Sequence, residues 1–254
     1  MILRDYHVHT SYCDGKNPPE EIVQKAIEMG MSEIGFSGHS YVSFDIDFCM
    51  SLEDTQNYIN DINYLKSKYK HQIKILCGIE YDYYSNINTD PFDYIIGSVH
   101  YLKVNDGYIS VDDTPQKLEE AVRKYYNGDF LSLAEDYFNK VSDIVDKTKC
   151  DIIGHFDLIT KFNQNGRFFD VCSERYVSSW KKAINKLLPK NKPFEINTGA
   201  ISRGYTTFPY PSKEIIDYII ENNGKFILSS DSHNKDTLCF KFDDCIDLAK
   251  NNLL

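Results

Sequence analysis

No two cysteines in these 254 residues stand at the CxxC spacing of a redox or zinc motif. The seven present (Cys13, Cys49, Cys77, Cys150, Cys172, Cys239, Cys245) are scattered and odd in number, which argues against a disulfide framework and for reduced thiols in a cytoplasmic protein. Long hydrophobic runs are also missing. No stretch approaches the ~18 apolar residues of a membrane span, and the N-terminus lacks the charged-then-apolar layout of a signal peptide, so no membrane partner is expected. Positive charge is scarce: 28 Lys and Arg against 38 Asp and Glu give a formal net charge of -10. That balance disfavours long nucleic acid, whose binding depends on Lys and Arg neutralising phosphates. A small anionic substrate stays possible if local cations, metals included, reverse the field inside a cleft. Repeats, low-complexity tracts and a glycine-rich phosphate fingerprint after the first strand are absent, and an open dinucleotide-binding sheet is thereby disfavoured.

What is there reads as a folded enzyme-sized chain. Hydrophobic residues at 42% and charged residues at 26% exclude disordered classes, and no composition break marks a linker, so residues 1–254 are expected to form one domain. Apolar, β-branched runs end at or near His7 and His9 (after Ile2 and Leu3), Ser37, Glu80, His100, His155, Asn197 and Asp231. Between them lie amphipathic helical patterns, such as Ile22, Val23, Ala26 and Ile27 after Asn17-Pro18-Pro19, with Asn17 as cap, or Ile59, Ile62 and Leu65. A longer polar excursion after the fourth run precedes helical segments around 116–127 and 129–148. About seven strands alternating with helices predict a parallel sheet with helices outside, closed or nearly closed into a barrel.

His7 and His9 stand two residues apart, so an extended backbone aims both imidazoles to one side. Six of the seven histidines (His7, His9, His39, His100, His155, His233) fall at C-terminal strand ends, with Glu80 and Asp231 in equivalent places. In α/β barrels that rim carries the active site. His71, in a charged helix-to-strand connection, serves as the solvated control. With Asp14 the candidate ligands number nine, more than the roughly four that one zinc ion takes. They suit two or three divalent transition-metal ions (Zn, Mn or Fe), with Glu80 available as a bridge. Roughly six positive charges from three ions, balanced by three carboxylates, a hydroxide and a phosphate dianion, fit a phosphate ester.

Laid out in this order, Tyr6-His7-Val8-His9 with Asp14, Gly38-His39-Ser40, Gly78-Ile79-Glu80, Gly97-Ser98-Val99-His100, Gly154-His155-Phe156-Asp157, Glu195-Ile196-Asn197-Thr198 and Ser230-Asp231-Ser232-His233 resemble the PHP (polymerase and histidinol phosphatase) superfamily of metal-dependent phosphoesterases. Gly-Ser-Val-His-Tyr-Leu at 97–102, Glu-Ile-Asn-Thr at 195–198 and Tyr-Pro-Ser at 210–212 look most like its stand-alone histidinol-phosphatases. The resemblance implies a distorted (β/α)7 barrel, TIM-barrel-like, with a trinuclear site at the C-terminal rim. It implies one ion held by His7, His9, Glu80 and Asp231, a second by Glu80, His100 and His155, and a third by Asp14, His39 and His233. Many relatives have histidine where this chain has Asp14, a hard oxygen ligand, so the third ion is expected to be bound differently or not to be zinc.

The implied reaction is hydrolysis of L-histidinol phosphate to L-histidinol and phosphate, in histidine biosynthesis, by a hydroxide bridging two ions. Asp231 is expected to orient the nucleophile, and His233 or a metal-bound water to protonate the leaving oxygen. Arg203 and Lys161, in rim loops, resemble the family's phosphate-gripping positions; Arg167 is a weaker third. Phe44, Tyr101 and Tyr205 lie in loops suited to the imidazole end. Two alternatives stay open: a broader phosphoesterase acting on nucleotides or other small esters, and a non-catalytic metal-binding module. The metal-dependent amidohydrolases also open with His-x-His but typically use a bridging lysine carbamate where this chain supplies Glu80. Monomer and small homo-oligomer are both open.

Overall fold

A computed structural model describes residues 3–105 and 107–254. Nine strands occur in chain order: β1 (Arg4–Asp5), β2 (Glu33–Phe36), β3 (Lys74–Asp82), β4 (Tyr94–Ser98), β5 (Tyr101–Val104), β6 (Gly107–Ser110), β7 (Ile152–Ile153), β8 (Phe194–Asn197) and β9 (Phe226–Ser229). Seven of them form one all-parallel sheet ordered β1-β2-β3-β4-β7-β8-β9. The ends meet just beyond the first and last strands, where Val8 bridges Ser232 in parallel. There the His9 N–H donates to the Ser232 carbonyl at 2.8 Å and the Ser232 N–H to the His7 carbonyl at 3.0 Å. The expected seven-stranded barrel is present, joined at its C-terminal rim.

Helices α1 (Pro19–Glu28), α2 (Leu52–Lys68), α3 (Pro115–Tyr125), α4 (Phe130–Val141), α5 (Ile144–Thr148), α6 (Glu174–Leu187), α7 (Gly199–Ser202), α8 (Lys213–Glu221) and α9 (Phe242–Cys245) complete the chain. Strands buried on both faces need continuous apolar runs, and every residue of β4 and of β8 is buried. The barrel interior below the rim is filled by Tyr94, Ile96 and Ile152 with Tyr6, Leu76 and Ile227. Glycine makes room for that filling: a Cβ on Gly78 would come within 2.2 Å of the Tyr94 ring. The Tyr94 hydroxyl in turn donates to the Tyr6 and Phe36 carbonyls at 2.5 and 3.0 Å, tying β4 to the segments that carry the first ligands.

The chain departs from the sequence reading in three places. The polar excursion after β4 contains an antiparallel hairpin, β5 on β6, whose four-residue strands are too short to announce themselves by alternation. The 129–148 helix breaks at Ser142–Asp143 into α4 and α5. Asn17 does not cap α1, whose N-cap position is Pro18; its side chain donates to Glu21 and accepts from the Lys235 N–H. Of the apolar pair expected to lead β1, Ile2 lies outside the described residues.

Candidate metal centre

Strand direction and alternation decide where the chelating side chains go. All seven barrel strands point their C-terminal ends to one mouth, and His7 and His9, held extended around the Val8 bridge, project to the same side with ring centroids 5.1 Å apart. His39 follows β2 and is bridged to Glu80 of β3. His100 follows β4, His155 follows β7, and Asp231 and His233 follow β9. The centre is therefore built from residues 226 positions apart in sequence, brought together by barrel closure alone.

Glu80 sits at the middle, 1% exposed. Its Oε2 faces His39 Nδ1 at 2.8 Å, His7 Nε2 at 3.3 Å and His9 Nε2 at 3.6 Å; its Oε1 faces His155 Nε2 at 2.8 Å and His100 Nε2 at 3.2 Å. One carboxylate thus presents its two oxygens to two different histidine sets. Asp231 Oδ1 lies 3.2 Å from His9 Nε2 and 3.8 Å from His7 Nε2. Asp14 reaches His233 Nε2 at 3.1 Å, His39 Nε2 at 3.6 Å and His9 Nδ1 at 3.7 Å. Three overlapping groups have ligand atoms mutually within 4.8 Å: His9, Asp14, His39 and His233; His7, His9 and Glu80; His39, Glu80 and His100. His9 and His39 each offer one nitrogen to the Glu80 side and the other to Asp14.

The chemistry of these atoms fits bound cations. His7 Nε2, His9 Nε2 and Glu80 Oε2 are buried and have no hydrogen-bond partner among the described residues, although buried polar atoms are nearly always paired. Converging unpaired lone pairs are what a divalent ion requires. The field agrees. Burial opposes a charged His7, yet Glu195, Glu80 and Asp231 outweigh it and hold its proton affinity well above the ordinary range. For Glu80, burial is likewise overcome by His39, His7 and His100, and its carboxyl is held well below the usual range. A cluster that draws protons onto buried imidazoles draws metal cations for the same reason.

A second layer of carboxylates orients the ligands. Glu195 Oε1 accepts from His7 Nδ1 at 2.7 Å and its Oε2 from the His155 N–H at 2.9 Å. Asp82 Oδ2 accepts from His100 Nδ1 and from the His100 N–H, both at 3.2 Å. These contacts assign the Nδ1–H tautomer and leave Nε2 facing Glu80. The Asn197 amide links Glu195 and Asp231, at 3.2 and 3.4 Å. Asp231 itself has a left-handed backbone (φ 49°), a strained choice for a non-glycine residue and one that clusters at functional sites.

Arg203 is locked to this layer: it donates to the Asp231 carbonyl at 2.8 Å and to Asp231 Oδ2 at 3.1 Å, with Nη1 2.9 Å from His233 Nδ1. His233 Nδ1 also lies 3.0 Å from the Asp231 carbonyl, so Nε2, which faces Asp14 at 3.1 Å, is the nitrogen turned to the centre and can serve as ligand or as acid, not both. Lys161 reaches the Asp112 carbonyl at 2.7 Å and lies 4.9 Å from the Tyr205 ring. Both cations line a cavity of about 470 Å³ over the metal cluster, together with Tyr101, Tyr205, Phe48 and Tyr210.

Arg167 is exposed and stacks on Phe168 away from that cavity. Phe44 lies in an adjoining cavity against Tyr108, and His71 is exposed in its connection. Sequence reading assigned no role to Asp82, Glu195, Asn197, Phe48 or Tyr210. Asp82 was within reach, since it stands two residues after Glu80 and β3 runs on to include it.

Fold and site together define a seven-stranded α/β-barrel protein with a cluster of candidate metal-binding residues at the C-terminal rim. The chain belongs to the PHP domain family, whose model matches residues 5–199. It is 29% identical over 240 residues, 84% of this chain and 74% of the other, to the Schizosaccharomyces pombe protein named probable histidinol-phosphatase. Among solved structures, a candidate histidinol phosphatase of Listeria monocytogenes superposes with a TM-score of 0.83 at 24% identity, covering 95% of this chain and 99% of its own. The histidinol phosphate phosphatase of Lactococcus lactis, solved with zinc, L-histidinol and phosphate, gives 0.75 at 23% identity, covering 99% and 94%. Among the described residues no helix is long and apolar enough to cross a membrane.

Proposed function

We propose that this chain hydrolyses L-histidinol phosphate and water to L-histidinol and orthophosphate. The observation that carries the reading is Glu80, which offers separate oxygens to two imidazole sets at 2.8–3.6 Å beneath a cavity that also holds Arg203. The relatives named above supply the substrate. The cavity suits it: Asp45, Asp47, Asp112 and Asp113 line the same space as Arg203 and Lys161, so anionic and cationic groups are both available for a molecule carrying a phosphate and an amine.

His7, His9, Glu80 and Asp231 would hold one ion, Glu80, His100 and His155 a second, and Asp14, His39 and His233 a third, with zinc, manganese or iron as candidates. Bound there, such ions supply Lewis acidity toward a phosphoryl oxygen and lower the pKa of water. The chain's own residues do the rest. Asp231, fixed by Arg203 and Asn197 through Oδ2, turns Oδ1 toward the centre and orients the attacking water. Arg203 keeps N–H groups beyond those given to Asp231 and uses them on the phosphate. Lys161 adds charge at the cavity wall. His233 would hold a cation through Nε2, and the leaving oxygen would then take its proton from solvent. Residues 1–254 are read as one domain, a reading supported by a single sheet running from Arg4 to Ser229 and by Leu253 bridging Phe226.

The test is phosphate release from histidinol phosphate, a nucleoside monophosphate and an aryl phosphate, beside elemental analysis of the purified protein. A preference for histidinol phosphate of at least about 100-fold in kcat/KM over the other two supports the reading, since hydrogen-bonding contacts to a substrate discriminate on that scale. Equal turnover of all three would make the chain a general phosphoesterase, and bound metal without any hydrolysis would make it a binding module.

A further inference from the structure

Tyr210 is fixed through its backbone beside the end of β8: its N–H donates to the Asn197 carbonyl at 2.9 Å and its carbonyl accepts from the Asn197 N–H at 2.7 Å. The side chain is 3% exposed and lines the cavity over the metal centre with Arg203, Lys161 and Tyr205. Its hydroxyl is buried and has no hydrogen-bond partner among the described residues. Buried tyrosine hydroxyls ordinarily find one. No hydrogen bond among the described residues uses this oxygen.

We propose that the Tyr210 hydroxyl is a phosphate-binding group, donating a hydrogen bond to a non-bridging oxygen of a phosphomonoester and completing a cradle with Arg203. The choice of phosphate over the cationic end of a substrate comes from the wall on which Tyr210 stands. Arg203, Tyr205 and Tyr210 line only the first cavity, whereas Asp45, Asp113 and Tyr101 line both it and its neighbour. The end shared with the second cavity holds Asp45 and Asp113, with Lys117 neutralised by its ion pair to Asp113, so one carboxylate there is left for an amine, and Tyr210 belongs to the other end, beside a guanidinium that repels cations. Burial and nearby Asp157 hold the phenol well above its ordinary range, so it is a donor at neutral pH. The proposal rests on the phosphatase reading for the presence of a phosphate, and not on which alcohol is esterified.

The test is Tyr210→Phe in the metal-loaded full chain, with inorganic phosphate as probe. Phosphate affinity is measured by calorimetry and as product inhibition, next to kcat, KM, metal content and thermal midpoint. Loss of a hydrogen bond to a charged group predicts a rise of about 10-fold or more in both KM and the phosphate dissociation constant, with metal content unchanged. The thermal midpoint should stay the same or rise, because the substitution removes an unpaired buried hydroxyl; a hydroxyl with a structural partner would lower it. Tyr64→Phe, on an exposed face of α2, controls for handling. Unchanged phosphate affinity, a fall in kcat alone, or lost metal would each overturn the proposal. If the wild-type chain binds phosphate and cleaves an aryl phosphate but not histidinol phosphate, the substrate reading fails and Tyr210 is judged on phosphate affinity alone.

Discussion

His7 Nδ1 and Glu195 Oε1 lie 2.7 Å apart, wholly buried and 188 residues distant in sequence. A carboxylate in that place fixes which imidazole nitrogen carries the proton, turns the ring, and raises the basicity of the nitrogen left facing the ions. Glu195→Gln keeps the shape and removes the charge. Metal affinity should fall by about 10–100-fold, read by titrating chelator-stripped protein, and activity should recover in excess metal. Activity lost with full metal occupancy would show that Glu195 acts in some other way.

Arg203 and Lys161 have similar charge and different freedom. Arg203 grips Asp231 at two points, so Arg203→Lys, which lacks the fork, should disturb both Asp231 and phosphate and lower kcat/KM by about 10- to 100-fold. Lys161 is held by Asp112, and Lys161→Met should change KM by less than about 10-fold with kcat nearly constant. A larger effect at Lys161 than at Arg203 would reverse the assignment.

Gly199 has no room for a side chain. A Cβ there would meet Asp231 Cβ at 2.7 Å and Arg203 Nη2 at 2.9 Å. Gly199→Ala should therefore cost about 1–3 kcal/mol of stability and displace Asp231, with activity falling more than 10-fold by the sensitivity of catalysis to ångström misplacement. Denaturant unfolding and kinetics on the same preparation would check both. Full activity would mean that the Asp231 position is not critical.

Chelation should unsettle the whole protein as well as silence it. An ion held at 1,000 times its Kd adds about 4 kcal/mol to the folded state, or roughly 8–16 °C in Tm for a chain of this size. Differential scanning before and after metal removal measures this, and re-addition of zinc, manganese and iron separately ranks the ions. A Tm indifferent to chelator would contradict a metal centre.

Much of this was legible in the sequence because barrel ligands sit where apolar runs stop. The ends at His39, His100, His155 and Asp231 marked both the strands and the mouth, and the two-residue offset of His7 and His9 fixed their common side. The supporting shell was harder to see. Asp82 was lost by ending β3 two residues early, and Glu195, buried on a fully buried strand, has no local pattern that tells its partner. Tyr210, one of 19 tyrosines, was marked by its Tyr-Pro-Ser segment but given no role, which the burial of its unpaired hydroxyl supplies. The hairpin β5–β6 escaped because strands of four residues carry too little alternation.

The single bridge between Val8 and Ser232 also bears on how the protein comes to be made. The flanking His7, His9, Asp231 and His233 cannot meet until the last strand is in place, so a chain still emerging from a ribosome holds its early histidines for most of synthesis without Asp231 and His233. Chelation then belongs to the final act of maturation, and the ions clasp a ring whose two ends would otherwise be free to part.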